Sequence, residues 1–139
     1  MTHTLRSRLV LVLGGDAAAV RADLLAADPA ALDGVLVAIN SDDSVRKLKG
    51  PNRPVCGQDE RAEMLGALEC VDFVTVFDEP DPYKVISALQ PDVLVKGGDW
   101  PLEKIVGYRE VTTWGGSVHS IPFVHQRSTT ALMEKIRRL

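Results

Sequence analysis

At 139 residues, with 45% hydrophobic and 25% charged residues, the chain is long enough for one compact core and too short for two ordinary domains. Its formal net charge is −3 and its Lys and Arg residues are spread along the chain, which excludes the massed basic surface of a nucleic-acid binder. The apolar run at 9–13 falls far short of the roughly 20 residues that cross a bilayer, and Cys56 and Cys70, outside any CxxC pattern, indicate neither a disulfide framework nor a thiolate metal site. One domain over 1–139, frayed at 1–7, in a reducing cytoplasmic setting is the expectation.

The first element is a strand at 8–13, short, rich in Leu and Val, and stopped by Gly14-Gly15-Asp16. A helix over 17–27 follows, with Asp16 as its cap, and then a second strand at 34–39. A short basic helix carrying Arg46, Lys47 and Lys49 leads to Gly50 and to a longer loop, 50–58, that holds Pro51 and Pro54. Helical spacing returns at 58–68, a strand at 73–76, a helix at 82–89, a strand at 92–95, a helix from 101 to about 113, and a strand at 117–121. The chain ends in an amphipathic helix over 129–139, capped by Ser128 or Thr129, with cations toward its negative dipole end. All five strands read as buried. Strand and helix alternate, which predicts a five-stranded, doubly wound parallel sheet with helices on both faces, a three-layer α/β/α arrangement.

Four polar clusters fall after strands or at helix starts, where such a fold gathers its site. Asn40, Ser41, Asp42, Asp43 and Ser44 follow the second strand, and the cations behind them, Lys47 and Lys49 among them, suit a phosphate clamp or a solvated basic helix face. Asp59 and Glu60 open the next helix as ordinary dipole partners, whereas Arg61 sits against the dipole and calls for a ligand or an ion pair. The turn 96–100, Lys-Gly-Gly-Asp-Trp, lets backbone approach a ligand closely and offers the Asp99 carboxylate and the flat face of Trp100; the plain alternative is an ordinary strand-end turn. At the last helix, Arg127, Ser128, Thr129 and Thr130 bring a guanidinium, hydroxyls and free amides to a helix N-terminus, as a phosphate requires, or as a simple hydroxyl cap provides.

Gly14 and Gly15 complete neither GxGxxG nor GxxxxGK[ST] and read first as a tight turn, with phosphate contact as the functional alternative. His3, His119 and His125 have no metal-ligand spacing; His119 reads as a strand histidine with a local partner, and only His125 lies near a proposed phosphate site.

Several segments together resemble one family: Asn-Ser-Asp-Asp-Ser-Val-Arg-Lys-Leu-Lys-Gly-Pro-Asn-Arg-Pro-Val at 40–55, the Arg61 helix, Cys-Val-Asp at 70–72, Phe-Asp-Glu-Pro at 77–80, Pro-Asp-Val-Leu-Val-Lys-Gly-Gly-Asp at 91–99 and Arg-Ser-Thr-Thr-Ala-Leu at 127–132. They are similar to the ADP-heptose synthase domain, the adenylyltransferase part of the bifunctional heptose 7-phosphate kinase and heptose 1-phosphate adenylyltransferase. The resemblance implies a cytidylyltransferase-like, Rossmann-like fold and transfer of adenylyl from ATP to a heptose 1-phosphate, with Mg²⁺ on the triphosphate and pyrophosphate released. It implies phosphate contacts from Lys47, Lys49 and Arg127, candidates also for catalysis. It further implies a nucleotide or phosphate site that includes Arg61, Asp99, Trp100, Arg127, Ser128, Thr129 and Thr130; Gly14, Gly15, Asn40 and Asp42 join it as candidates from their place after strands, and no resident metal is expected. Expected partners are ATP or another nucleotide, a sugar 1-phosphate and a second copy of the chain in a homodimer, with no nucleic acid and no membrane.

One stretch departs from the family pattern. The family's first strand leads to an HxGH motif whose histidines bind the triphosphate, whereas residues 13–23 here read Leu-Gly-Gly-Asp-Ala-Ala-Ala-Val-Arg-Ala-Asp. Each preorganised donor lost from a transition state lowers the rate by about 100- to 1000-fold. The alternative function is therefore a binding module, a regulator or partner subunit that holds a nucleotide or sugar phosphate without turning it over.

Overall fold

The computed structural model describes residues 9–13, 34–122 and 128–139. The predicted helix at 17–27, its Asp16 cap and the N-terminal segment 1–7 lie outside the described residues. The elements run β1 (Leu9–Leu13), β2 (Gly34–Asn40), α1 (Asp42–Lys49), α2 (Gln58–Gly66), β3 (Phe73–Phe77), α3 (Tyr83–Leu89), β4 (Val93–Gly97), a 3-10 turn (Leu102–Lys104), α4 (Tyr108–Thr113), β5 (Ser117–Ile121) and α5 (Thr129–Arg137).

The strands form one sheet in the order β3-β2-β1-β4-β5, every pair parallel. β1 is central because its five residues are all apolar and can be buried on both faces. Side chains alternate between two cores. Leu11, Leu36, Leu94 and Val118 face Ile86 of α3 and Val111 of α4, while Val10, Val12, Val35, Val37, Val93 and Val95 face the side covered by Leu65 of α2 and by Val71. This is the predicted Rossmann-like three-layer arrangement.

The starts of the strands are laced by two aspartates. The Asp72 amide donates to the Val35 carbonyl at 3.0 Å and its carboxylate accepts from the Val35 amide at 2.8 Å. Asp92 repeats the pattern on Leu9, with both hydrogen bonds at 3.0 Å. Asp92 thus lies just before β4 rather than within it, and it fixes the register that sets Leu13 beside Lys96.

Two expectations need correction. β3 and β5 are not buried strands: they form the two sheet edges, with Phe73 60% exposed and only Phe77 buried in β3, and only Val118 buried in β5. The helix expected from 101 to about 113 is broken, because Gly107 takes φ +88 between the 3-10 turn and α4. At that position a Cβ would come within 2.9 Å of the fully buried Ile86. Left-handed strain and overpacking act together there, so Gly107→Ala is expected to destabilise the fold by about 2–4 kcal/mol, read as a lower urea midpoint with an unchanged slope.

Candidate functional site

Because β1 leads outward to β2 and β3 before the chain returns to β4 on its other side, a crevice opens at the carboxyl ends of the central strands. A cavity of about 550 Å³ occupies it, reaching Leu13 of β1, Asn40 of β2, Phe77 of β3 and Lys96 of β4. Its walls are largely apolar, with Val45 and Leu48 of α1 on one side and Ile105 and Val106 on the other. Lys49, Lys96, Lys104 and Arg61 also line it, against a single carboxylate, Asp81.

The turn after β2 is held by its own polar groups. Ser41 caps α1, its hydroxyl accepting from the Ser44 amide at 3.2 Å, and its backbone amide donates to the Phe77 carbonyl at 2.8 Å. Asn40 Nδ2 donates to Ser44 Oγ at 3.0 Å, which donates in turn to the Glu79 carbonyl at 2.8 Å. Arg61 ties α2 to this rim, donating from Nη2 to the Asn40 carbonyl and to Asp42 Oδ1, both at 2.9 Å, and from Nε to the Cys56 carbonyl at 3.1 Å. Partial desolvation acts to raise the Asp42 pKa. The Arg61 hydrogen bond, the Gln58 amide and the charges of Arg61 and Arg46 outweigh it and leave the carboxyl below its ordinary value. Asn40, Asp42 and Arg61 therefore form the frame of the cavity, and the Arg61 charge is offset by Asp42.

The lysines differ from Arg61. None of Lys49, Lys96 and Lys104 has an ion-pair partner among the described residues. Lys96 stands near the end of a strand whose other side chains are buried, opposite Leu13 and Ser120. Burial first, and the nearby Lys49 ammonium second, lower its pKa below the ordinary lysine value. A half-buried, unpaired ammonium on an apolar wall is a fitting contact for an anion.

The turn that follows is bolted to β5. Gly98, at φ +111, has its carbonyl hydrogen-bonded by Ser120 Oγ, and the Trp100 amide donates back to that oxygen at 3.0 Å. Trp100 Nε1 donates to the Gly97 carbonyl at 3.2 Å, which holds the half-exposed indole along the cavity mouth. Asp99 is exposed and does not line the cavity.

The remaining predicted residues are placed elsewhere. Lys47 is exposed and does not line this cavity. Ser128 caps α5, its hydroxyl accepting from the Ala131 amide at 3.1 Å, and Thr129 is the exposed first residue of that helix. Thr130 Oγ1 accepts from Arg53 Nη2 at 2.7 Å. Gly14, Gly15, Arg127 and His125 lie outside the described residues. His119 is exposed, with its Nε2 3.1 Å from Ser117 Oγ, as the strand reading has it. The turn 96–100 was singled out for Asp99 and Trp100, but it is Lys96 with Trp100 that lines the cavity, and sequence reasoning missed Lys104 and Asp81 altogether. Only Lys96 carried a signal, a lone charge near the end of an otherwise apolar strand.

A family model described as cytidylyltransferase-like matches residues 23–137. The chain belongs to that family. It is 53% identical over 105 residues to the bifunctional protein HldE of Geotalea uraniireducens (strain Rf4), covering 76% of this chain and 21% of the relative. Against bifunctional protein HldE of Geobacter sulfurreducens it is 51% identical over 104 residues, covering 75% and 21%. The chain thus spans about a fifth of the length of these relatives. In fold it is similar to the lipopolysaccharide core biosynthesis protein from Thermoplasma volcanium GSS1, with a TM-score of 0.57 and 17% identity over 86% of this chain and 98% of that one. The family match begins at residue 23, beyond the alanines at 17–19.

The state of Lys96 gives a prediction with a definite sign. At neutral pH the lysine is protonated in both the folded and unfolded chain, and the fold carries the cost of desolvating it; the folded chain loses the proton first as pH rises toward 10.5, and the cost fades. Lys96→Met is therefore expected to raise the melting temperature most at neutral pH, with the gain shrinking in alkali. The same substitution is expected to weaken binding of a nucleoside triphosphate by on the order of tenfold, measured by calorimetry.

Proposed function

We propose that this chain is a sugar 1-phosphate nucleotidyltransferase domain whose cavity receives ATP and a heptose 1-phosphate. The observation that carries the proposal is the set of unpaired lysines, Lys49, Lys96 and Lys104, on the apolar crevice where a cytidylyltransferase-like sheet changes direction. In the reaction a phosphate oxygen of the sugar 1-phosphate attacks the α-phosphorus of ATP, the new P–O bond forms, and the bond to the β-phosphate breaks to release pyrophosphate. The lysines hold the negative oxygens, the apolar walls exclude water, and Trp100 supplies a flat surface at the mouth.

Mg²⁺ fits this site as an ion carried on the phosphates. Among the described residues no group of three His, Cys, Asp or Glu could cage a metal, and Mg²⁺ needs only one or two carboxylates when phosphates supply the rest. Asp81 is the carboxylate that lines the cavity, its Oδ1 accepting from the Tyr83 amide at 2.9 Å. When bound, the ion neutralises charge that develops on the phosphate oxygens.

A second reading, nucleotide and sugar-phosphate binding without turnover, is favoured by one observation: there is no histidine between His3 and His119. Purified chain incubated with ATP, Mg²⁺ and heptose 1-phosphate separates the two. Transfer predicts pyrophosphate release that needs all three components. Saturable ATP binding with no release above the blank leaves the binding module, and absence of both overturns the assignment of the cavity.

A further inference from the structure

We propose that Ser120 is a positioning residue for the cavity: its single hydroxyl holds the Trp100 indole as the stacking face of the mouth, at a fixed spacing from the Lys96 ammonium. Ser120 acts through Trp100 and does not itself line the cavity, and its role rests on the reading of that cavity as a nucleotide site. Lys96 and Ser120 are register partners in adjacent parallel strands, so their side chains leave the sheet on the same side. Lys96 goes to the cavity, whereas the Ser120 hydroxyl is committed to the turn that leaves β4. Gly98 takes φ +111 and gives both of its backbone groups to β5: its amide donates to the Ile121 carbonyl at 2.8 Å, and its carbonyl accepts from Ser120 Oγ. The same oxygen accepts from the Trp100 amide at 3.0 Å. A hydroxyl can donate and accept at once, so Ser120→Ala would take that partner from the Gly98 carbonyl and the Trp100 amide together.

Trp100 is 51% exposed and belongs to neither core cluster, so hydrogen bonds rather than core packing set its pose. Its Nε1 donates to the Gly97 carbonyl at 3.2 Å, which turns the polar edge of the indole to the backbone and leaves the ring face for a ligand. The mouth therefore offers Trp100 as stacking surface, and Lys96 supplies the charge. An aromatic face and an ammonium carried by one turn suit a ligand that joins a planar ring to an anion, as a nucleoside triphosphate does.

Tryptophan fluorescence and calorimetry with ATP and Mg²⁺ test the role of Ser120. The chain has two tryptophans, and Trp114, whose Nε1 donates to the Pro91 carbonyl at 3.1 Å at the opposite end of β4, gives a constant background. Ser120→Ala is expected to raise acrylamide quenching of the ligand-free chain and to weaken ATP binding about three- to tenfold. Ser120→Thr, which keeps the hydroxyl, is expected to restore both. Melting temperatures establish that the variants compared are folded; if Ser120→Ala is not, Ser120→Cys keeps the shape, weakens both hydrogen bonds and serves the same comparison. Unchanged quenching in the folded variant, or unchanged ATP affinity where the wild type binds ATP, would overturn the role of Ser120. Absence of ATP binding by the wild type would instead overturn the nucleotide reading, and the quenching, measured without ligand, then decides whether Ser120 sets the indole.

Discussion

The parallel pairing of β1 on both of its edges is the constraint from which the site follows. Once Leu9 is tied to Asp92 and Val35 to Asp72, the registers are set, and the ends of β1, β2 and β4 must open on the same rim. Among the described residues, the direction of the connections then leaves a cavity beside Leu13. Asn40 and Lys96 reach the cavity because they occupy the next positions along strands whose apolar residues have already been placed.

The cations at this rim fall into two kinds. Arg61 is fully employed in architecture, its guanidinium spread over two carbonyls and the Asp42 carboxylate, so that it fixes α2 against the end of β2. Lys49, Lys96 and Lys104 lack such partners among the described residues and keep their charge toward the cavity. Burying part of an ammonium without a counter-ion costs stability, and here the cost falls on the wall of a cavity rather than in the core. Such an arrangement is understandable where an anion is the missing partner.

Much of this was legible in the sequence. The three inner strands are Val- and Leu-rich runs because they are buried on both faces of a parallel sheet, and their positions emerge from that pattern alone. The edge position of β3 was hidden because Phe-Val-Thr-Val-Phe reads alike in the middle of a sheet and at its margin. The break at Gly107 had a local signal, a glycine within helical spacing, but its cause is the close approach of Ile86 from a different element. Asn40, Asp42, Arg61 and Trp100 were recognisable as a group, whereas the division of Arg61 from the lysines depends on contacts between residues about twenty positions apart. Lys104 offered no pattern, since it meets the cavity only through the 3-10 turn that replaces the expected helix.

Family membership and present chemistry rest on different parts of the chain. The matched region, 23–137, contains the lysines and the Trp100 turn, while the stretch before it lacks the histidines of the motif that the resemblance implies. Retained charge at the crevice is thus the central claim, and a crystal structure with a non-hydrolysable ATP analogue and Mg²⁺ tests it most directly. Phosphates are expected between the ends of β1 and β4, within hydrogen-bonding distance of Lys49 and Lys96. An analogue bound elsewhere on the molecule, with those lysines facing solvent, would contradict it.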